Sequence, residues 1–379
     1  MEKPYLLDII KIVEGAANAD HAKVAAYTRH LTERLEADGE KEAAKRLRQI
    51  LTGSKVAKME LARTDSTGRT SSHNPLPVDS ESRLTTAQED YYQTGAVELF
   101  LAPEVEKIVQ QFLKYFRAAD RLIAGGVGVA ASLLIYGPPG CGKTQLAKYI
   151  ASELKLPLIT ARVDGLISSY LGSTAKNLRL LFEHAMSRPC VLFLDEFDAI
   201  AKMRDDAKEL GELKRVVIGL LQNIDAMGTD HVLIAATNHE HLLDPAIWRR
   251  FAYKVQLHEP DANARQKMLN AFLGEYKDDM IVQTLASLSD GLTGSQLRLI
   301  VDNCIRDAIL SETTAISLRH AIEYVLSAKT GATESTDDFS DQLRKLRSSD
   351  PKAFTQQRLA EIFGISQGQI SKLLRDDGK

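Results

Sequence analysis

Residues Gly137 to Thr144 read Gly-Pro-Pro-Gly-Cys-Gly-Lys-Thr, between the apolar run Ser132 to Tyr136 and an amphipathic stretch that opens near Lys143. A strand that ends in a glycine-rich loop and resumes as a helix leaves few folds open, because the helix has to pack back on the sheet that the strand belongs to. The glycines at 137, 140 and 142 let the backbone point successive N–H groups at an anion, and the helix N-terminus adds its positive end. The spacing G-x-x-x-x-G-K-[ST] assigns this cradle to nucleotide phosphates. Gly137, Pro138, Pro139, Gly140, Cys141 and Gly142 wrap the phosphates, and Lys143 reaches the β and γ groups. The Thr144 hydroxyl ligates Mg²⁺, and Gln145 completes the nucleotide-binding set. Cys141 fills a variable position of the loop and carries no redox meaning.

The 379 residues are 44% hydrophobic and 26% charged, which suits a soluble globular chain of two or three domains. A net charge of −3 gives no global attraction to nucleic acid or to an anionic membrane, so any such contact has to be local. Cys141, Cys190 and Cys304 are too widely spaced for a disulfide framework or a metal cluster. The first residues lack a signal-peptide pattern, and no apolar run approaches membrane-spanning length. A cytoplasmic setting without membrane contact is the expectation.

Along the chain, residues 1–51 read as a small helical module: Tyr5 to Val13, Asp20 to Ala37 and Glu40 to Leu51, broken by Gly15 and Asp38-Gly39. Residues 52–95 have the polar, irregular composition of a linker. Over 96–258, apolar runs at Ser132 to Tyr136, Leu156 to Ala161, Val191 to Leu194, Val232 to Ala236 and Tyr253 to Leu257 alternate with amphipathic stretches. That alternation predicts an α/β fold, a three-layer sandwich around a mostly parallel sheet. Residues 259–328 read as helices only, 329–350 as a second linker and 351–379 as a final helical segment.

The run Val191 to Leu194 ends in Asp195 and Glu196. A carboxylate at a strand tip can hold Mg²⁺ through its water shell, which is the role expected of Asp195. Glu196 is placed to polarise the attacking water as a general base. The run Val232 to Ala236 ends in Thr237 and Asn238, whose amide is a candidate sensor of the γ-phosphate, although a turn-forming Asn is common at a strand end. About ten residues further on, Arg249 and Arg250 stand where an arginine can face a neighbouring subunit's nucleotide.

Together these residues resemble an AAA+ ATPase module of the AAA family, over about residues 97 to 328. The resemblance implies an α/β/α P-loop domain with a helical lid, a homo-oligomeric ring that is usually a hexamer, and ATP with Mg²⁺ held between subunits. It places Gly294 and Ser295 at the family's second sensor segment, where Gly-Ala is common. Ser295 departs mildly from that pattern. Arg298, a turn later, is the only basic candidate for a sensor arginine in this stretch and reads more readily as a surface helix residue.

Tyr170, Leu171 and Gly172 resemble the family's first pore loop, whose aromatic grips an extended polypeptide. The charged run Lys202 to Leu213 lies at the place of a second pore loop. Near the end of the chain, Ala360, Gly364 and Ile370 have helix-turn-helix spacing and resemble the DNA-binding unit of bacterial regulators. In that reading Ser366 caps the second helix, while Gln367, Gln369, Ser371 and Lys372 face DNA. Such units also serve as protein contacts. The leading expectation is a ring motor that threads protein substrates, with a separately encoded protease or an adaptor among its partners, since no His-Glu-x-x-His zinc motif is present. The alternative is a DNA-associated ATPase acting as regulator, loader or defence component, with double-stranded DNA as partner.

Overall fold

A computed structural model describes residues 5–53, 77, 85–127, 131–162, 166, 171–201, 210–227, 231–330, 340, 343–344, 347, 351, 354–363 and 365–375. The chain forms two compact units. One comprises residues 1–99, 104–137 and 143–256, and the other 100–103, 138–142 and 257–379.

The first unit is built on a six-stranded sheet: β1 (Ala87–Asp90), β2 (Ser132–Tyr136), β3 (Leu158–Ala161), β4 (Val191–Leu194), β5 (Val232–Thr237) and β6 (Tyr253–Gln256). Their order is β1-β3-β4-β5-β2-β6, and every pairing is parallel except β1 with β3. All residues of β4 and β5 are buried, as parallel strands covered on both faces require. Helices Leu171–Met186 and Leu210–Ala226 supply Leu178, Leu181, Phe182, Val216 and Leu220 to the core around Leu192, Leu194 and Leu233. This is the expected P-loop α/β/α architecture.

Strand β1 lies inside the stretch that its composition marks as linker. Its sequence, Ala-Gln-Glu-Asp, has almost no apolar pattern. The sheet holds it through backbone pairing with Leu158 to Ala161 and through the buried pair of Glu89 with Arg188, 2.7 Å apart. An edge strand needs little burial of its own, so its hydropathy signal is weak.

Among the described residues three helices precede it: α1 (Leu6–Ala17), α2 (His21–Ala37) and α3 (Lys41–Gly53), which runs two residues past the expected boundary at 51. Asp20 caps α2 by accepting the Lys23 N–H at 3.0 Å. Helix α1 buries Asp8 and Lys11 and leaves Ile9, Ile10 and Val13 exposed, the reverse of a usual amphipathic helix. The cause is a charged seam to helix Ala119–Ala124. Asp8 meets Arg34 at 2.6 Å, and Arg34 meets Asp120 at 2.8 Å.

The second unit is helical. Helices Ala262–Leu273, Asp279–Leu288, Gly294–Leu310 and Leu318–Thr330 are entered through side-chain caps at Asp261, Asp278 and Thr293 for the first three. Its core runs from Leu285, Leu297 and Val301 to Phe354, Leu359, Phe363 and Ile370. The tail helices Gln356–Phe363 and Gln367–Arg375 therefore share one apolar cluster with the four helices before them, which a polar connection at 329–350 does not suggest.

Candidate nucleotide site

In parallel α/β sheets, ligands meet the carboxyl ends of the strands, and the residues of interest follow β2, β4 and β5 at that end. Lys143 opens helix Lys143–Leu154 and is buried, with its ammonium donating to the Gly137 carbonyl at 2.7 Å. The Thr144 hydroxyl donates to Asp195 Oδ2 at 2.8 Å, and Asp195 Oδ1 accepts the Glu196 N–H at 3.0 Å. Thr144 and Asp195, predicted to share a Mg²⁺ ion, are thus direct neighbours. Gln145 is exposed in the first turn of the helix, and Cys141 is partly exposed.

Glu196 has φ +48°, a left-handed backbone that a non-glycine residue adopts only when its surroundings hold it there. The following Phe197 N–H donates to the Ala236 carbonyl at 2.8 Å, which joins the turn after β4 to the end of β5. Glu196 is exposed, whereas Asn238 Oδ1 is buried and has no hydrogen-bond partner among the described residues. A buried acceptor without a partner costs about 1–3 kcal/mol, so such groups persist where a ligand or water completes them.

In the second unit the loop residues 138–142 meet the segment predicted to be the second sensor. The Ser295 N–H donates to the Gly140 carbonyl at 3.1 Å. Gly140 has φ +80°, and a Cβ there would collide with Ser295 Oγ and lie 2.8 Å from Thr293 Oγ1. Only glycine fits this approach. Gly294 begins its helix behind a capping box of Thr293 and Gln296, which fixes where Ser295 presents its N–H. Arg298 is exposed, pairs with Asp302 at 3.0 Å and stacks over Phe272, so it reads as a surface helix residue.

The two arginines differ. Helix Pro245–Trp248, capped by Asp244, delivers both to the surface. Arg250 makes a two-pronged pair with Asp225, at 3.1 and 3.2 Å. The Arg249 N–H donates to the Pro245 carbonyl at 3.2 Å, and its side chain makes no hydrogen bond or ion pair among the described residues.

A Thr-Asp pair at a strand tip, an adjacent exposed Glu and, just past the end of the neighbouring strand, an Asn whose Oδ1 is buried are groups that nucleotide hydrolysis can use. Residues 133–259 match the family described as ATPase family associated with various cellular activities (AAA). The chain carries an AAA-family ATPase domain. An uncharacterized AAA family ATPase, y4kL, of Sinorhizobium fredii is 48% identical over 165 residues, covering 44% of this chain and 50% of that protein. The ATP-dependent zinc metalloprotease FtsH of Alkalihalophilus pseudofirmus is 27% identical over 275 residues, covering 70% of this chain and 40% of that protein. FtsH 2 of Bdellovibrio bacteriovorus is 35% identical over 204 residues, covering 51% and 33%. The chain thus spans half or less of the length of these relatives.

Other expected sites are reached unevenly. Tyr170 and residues 202–209 lie outside the described residues, while Leu171 and Gly172 fall in the first turn of helix Leu171–Met186. In the tail, Ser366 and Gln369 form the expected cap, with the Ser366 N–H reaching Gln369 Oε1 at 2.9 Å. Gln367, Gln369 and Lys372 are exposed, Ser371 is half-buried, and Ile370 beneath them is fully buried. Gly364 lies outside the described residues. Among the described residues no helix is long and apolar enough to cross a membrane, and no cluster of three or more His, Cys, Asp or Glu stands ready for a metal ion.

Sequence reasoning passed over Asp198. Its Oδ1 accepts the Thr237 hydroxyl at 2.6 Å. The available signal was its place two residues after Glu196, at the start of a helix.

Proposed function

We propose that this chain is a cytoplasmic ATP-hydrolysing motor that assembles as a homo-oligomeric ring, usually six-membered, and remodels or unfolds protein substrates by drawing them past Tyr170, Leu171 and Gly172. The observation that carries it is the hydrolytic constellation: Thr144 bonded to Asp195, Glu196 held left-handed beside it, and the orphaned amide oxygen of Asn238. The likeness of its ATPase domain to that of the ATP-dependent zinc metalloproteases supports a protein substrate.

Lys143 and the 137–142 backbone bind and orient the phosphates of ATP, and Thr144 and Asp195 hold Mg²⁺. Bound Mg²⁺ supplies charge neutralisation on the transferring phosphate. Glu196 takes the proton of the attacking water, and Asn238 orients that water. Arg249, exposed and with no side-chain partner among the described residues, is the better placed of the two arginines to reach a neighbouring subunit's nucleotide, and Arg250 is held by Asp225. The test is ATPase turnover with and without an unfolded polypeptide. Stimulation that disappears in Tyr170→Ala supports threading; an unchanged rate in that variant counts against it.

A second reading, a DNA-associated ATPase acting as regulator, loader or defence component, is favoured by the capped tail helix that exposes Gln367, Gln369 and Lys372 over a buried Ile370. Deleting residues 351–379 would strip Phe354, Leu359 and Ile370 from an apolar cluster, so point variants are the cleaner probe. Duplex DNA retained by the wild type and released by the triple alanine variant of Gln367, Gln369 and Lys372 supports this reading. Equal retention by both opposes it.

A further inference from the structure

The turn after β4 is tied twice to the end of β5. The Phe197 N–H donates to the Ala236 carbonyl at 2.8 Å, and the Thr237 hydroxyl donates to Asp198 Oδ1 at 2.6 Å. The Thr237 oxygen also accepts the His239 N–H at 2.9 Å. Its proton is committed to Asp198 and a lone pair to His239, so the hydroxyl, on a residue only 1% exposed, has one orientation. The three residues Thr237, Asn238 and His239 are thereby closed into a small ring whose anchor is Asp198. On the other side of the same ties lies Glu196 with its left-handed backbone.

We propose that Asp198 is a positioning residue for hydrolysis. Through Thr237 it fixes the backbone on both sides of Asn238, and through its own turn it fixes Glu196, so that amide and carboxylate address one water. This inference rests on the hydrolytic reading of Glu196 and Asn238. Helix Asp198–Ala201 has only four residues, so an acid in its first turn gains little from the helix dipole. The carboxylate has a further task in Thr237.

The test is steady-state ATP hydrolysis by the full chain, with nucleotide affinity followed separately by a fluorescent ATP analogue and folding by thermal melting. Asp198→Ala and Thr237→Val should lower kcat by about tenfold to a hundredfold, the scale of a misplaced catalytic group, with KM for ATP within about twofold of wild type. Asp198→Asn, which keeps an acceptor oxygen, and Thr237→Ser, which keeps the hydroxyl, should restore most of the rate. The double variant Asp198→Ala/Thr237→Val should be no slower than the slower single variant, because both break one path. Wild-type kcat in Asp198→Ala, or equal losses in the Asn and Ala variants, would overturn the proposal. Should Asp198→Ala fail to fold, the Thr237→Val and Thr237→Ser pair decides by the same criterion. Wild-type turnover in Glu196→Gln would instead sink the hydrolytic reading itself, whatever Asp198 does.

Discussion

The α1–α2 seam at one end of the central sheet and the turns at the other treat polar groups in opposite ways. At the amino ends of β4 and β5, α1 and α2 dock against helix Ala119–Ala124 through a network in which each charge is answered. Asp8, 1% exposed, accepts from His30 at 2.8 Å and Arg34 at 2.6 Å; Arg34 reaches Asp120, whose other oxygen accepts the Leu7 N–H at 2.8 Å. Beside them a cavity of about 540 Å³ is lined by Tyr27, Cys190 and His231. His231 donates from Nδ1 to the Met227 carbonyl at 2.7 Å, which leaves Nε2 to accept from the Tyr27 hydroxyl at 3.4 Å. At the carboxyl ends, Glu196 is held at positive φ and Asn238 Oδ1 is buried without a donor among the described residues. Satisfied groups hold a structure together, whereas strained and unanswered ones are retained for what they do to a ligand.

The sharpest way to break this contrast is to neutralise one acid at each end. Glu196→Gln should cut ATP turnover by about 10²- to 10⁴-fold, the usual worth of a general base, while leaving the thermal midpoint unchanged. Turnover assays and melting curves on the same preparation check both halves. Asp8→Ala should do the reverse. It leaves His30 and Arg34 without their shared acceptor and should cost about 1–3 kcal/mol in denaturant unfolding, with turnover per folded molecule unaltered. A large activity loss in Asp8→Ala would mean that the seam is part of the motor's working cycle.

The difference between the ends also explains what was legible in the sequence. Gly137 to Thr144, Asp195, Glu196 and Asn238 lie at the tips of apolar strands, and both the glycine spacing and the abrupt change from apolar to acidic residues are local signals. The seam has no local signal. Leu7, Arg34 and Asp120 are 113 and 86 residues apart in their pairings, and nothing in a window of ordinary length joins them. Helix α1 even misleads, because Ile9, Ile10 and Val13 read as its core-facing side while Asp8 and Lys11 are the residues buried. Strand β1 was hidden for a related reason, since backbone pairing rather than apolar side chains holds it. The tail was legible as two helices but not as part of the apolar cluster that takes in Leu359 and Ile370.

A smaller effect separates strain from chemistry at a single residue. Glu196→Gly relieves a left-handed backbone worth about 1–2 kcal/mol, and the greater freedom of glycine in the unfolded chain returns about half of that. The net expectation is a stabilisation of about 0.5–1 kcal/mol in denaturant unfolding, in a protein that no longer hydrolyses ATP. Destabilisation would mean that the carboxylate itself holds the turn.

The smallest perturbation changes no residue and compares two thiols. Cys190 stands just before β4 at the amino end of the sheet, where burial pushes its pKa up to about 12; Cys141 lies partly exposed in the phosphate loop. Near pH 8 the Cys190 thiol is almost wholly protonated, and its sulfur donates to the Ala185 carbonyl at 3.4 Å. A thiol reagent should therefore modify Cys141 readily and Cys190 only after unfolding, and ATP should slow the first reaction without touching the second. The sign with pH follows from the raised value. Burial of the neutral thiol favours the fold fully below the ordinary thiol pKa of 9.0, and that contribution is lost as pH rises toward 12. Cys190 labelling should thus accelerate steeply in alkaline buffer together with loss of the fold. Rapid labelling of Cys190 at pH 8 in the folded protein would show that the amino end of the sheet opens, and that its answered charges do not hold it shut.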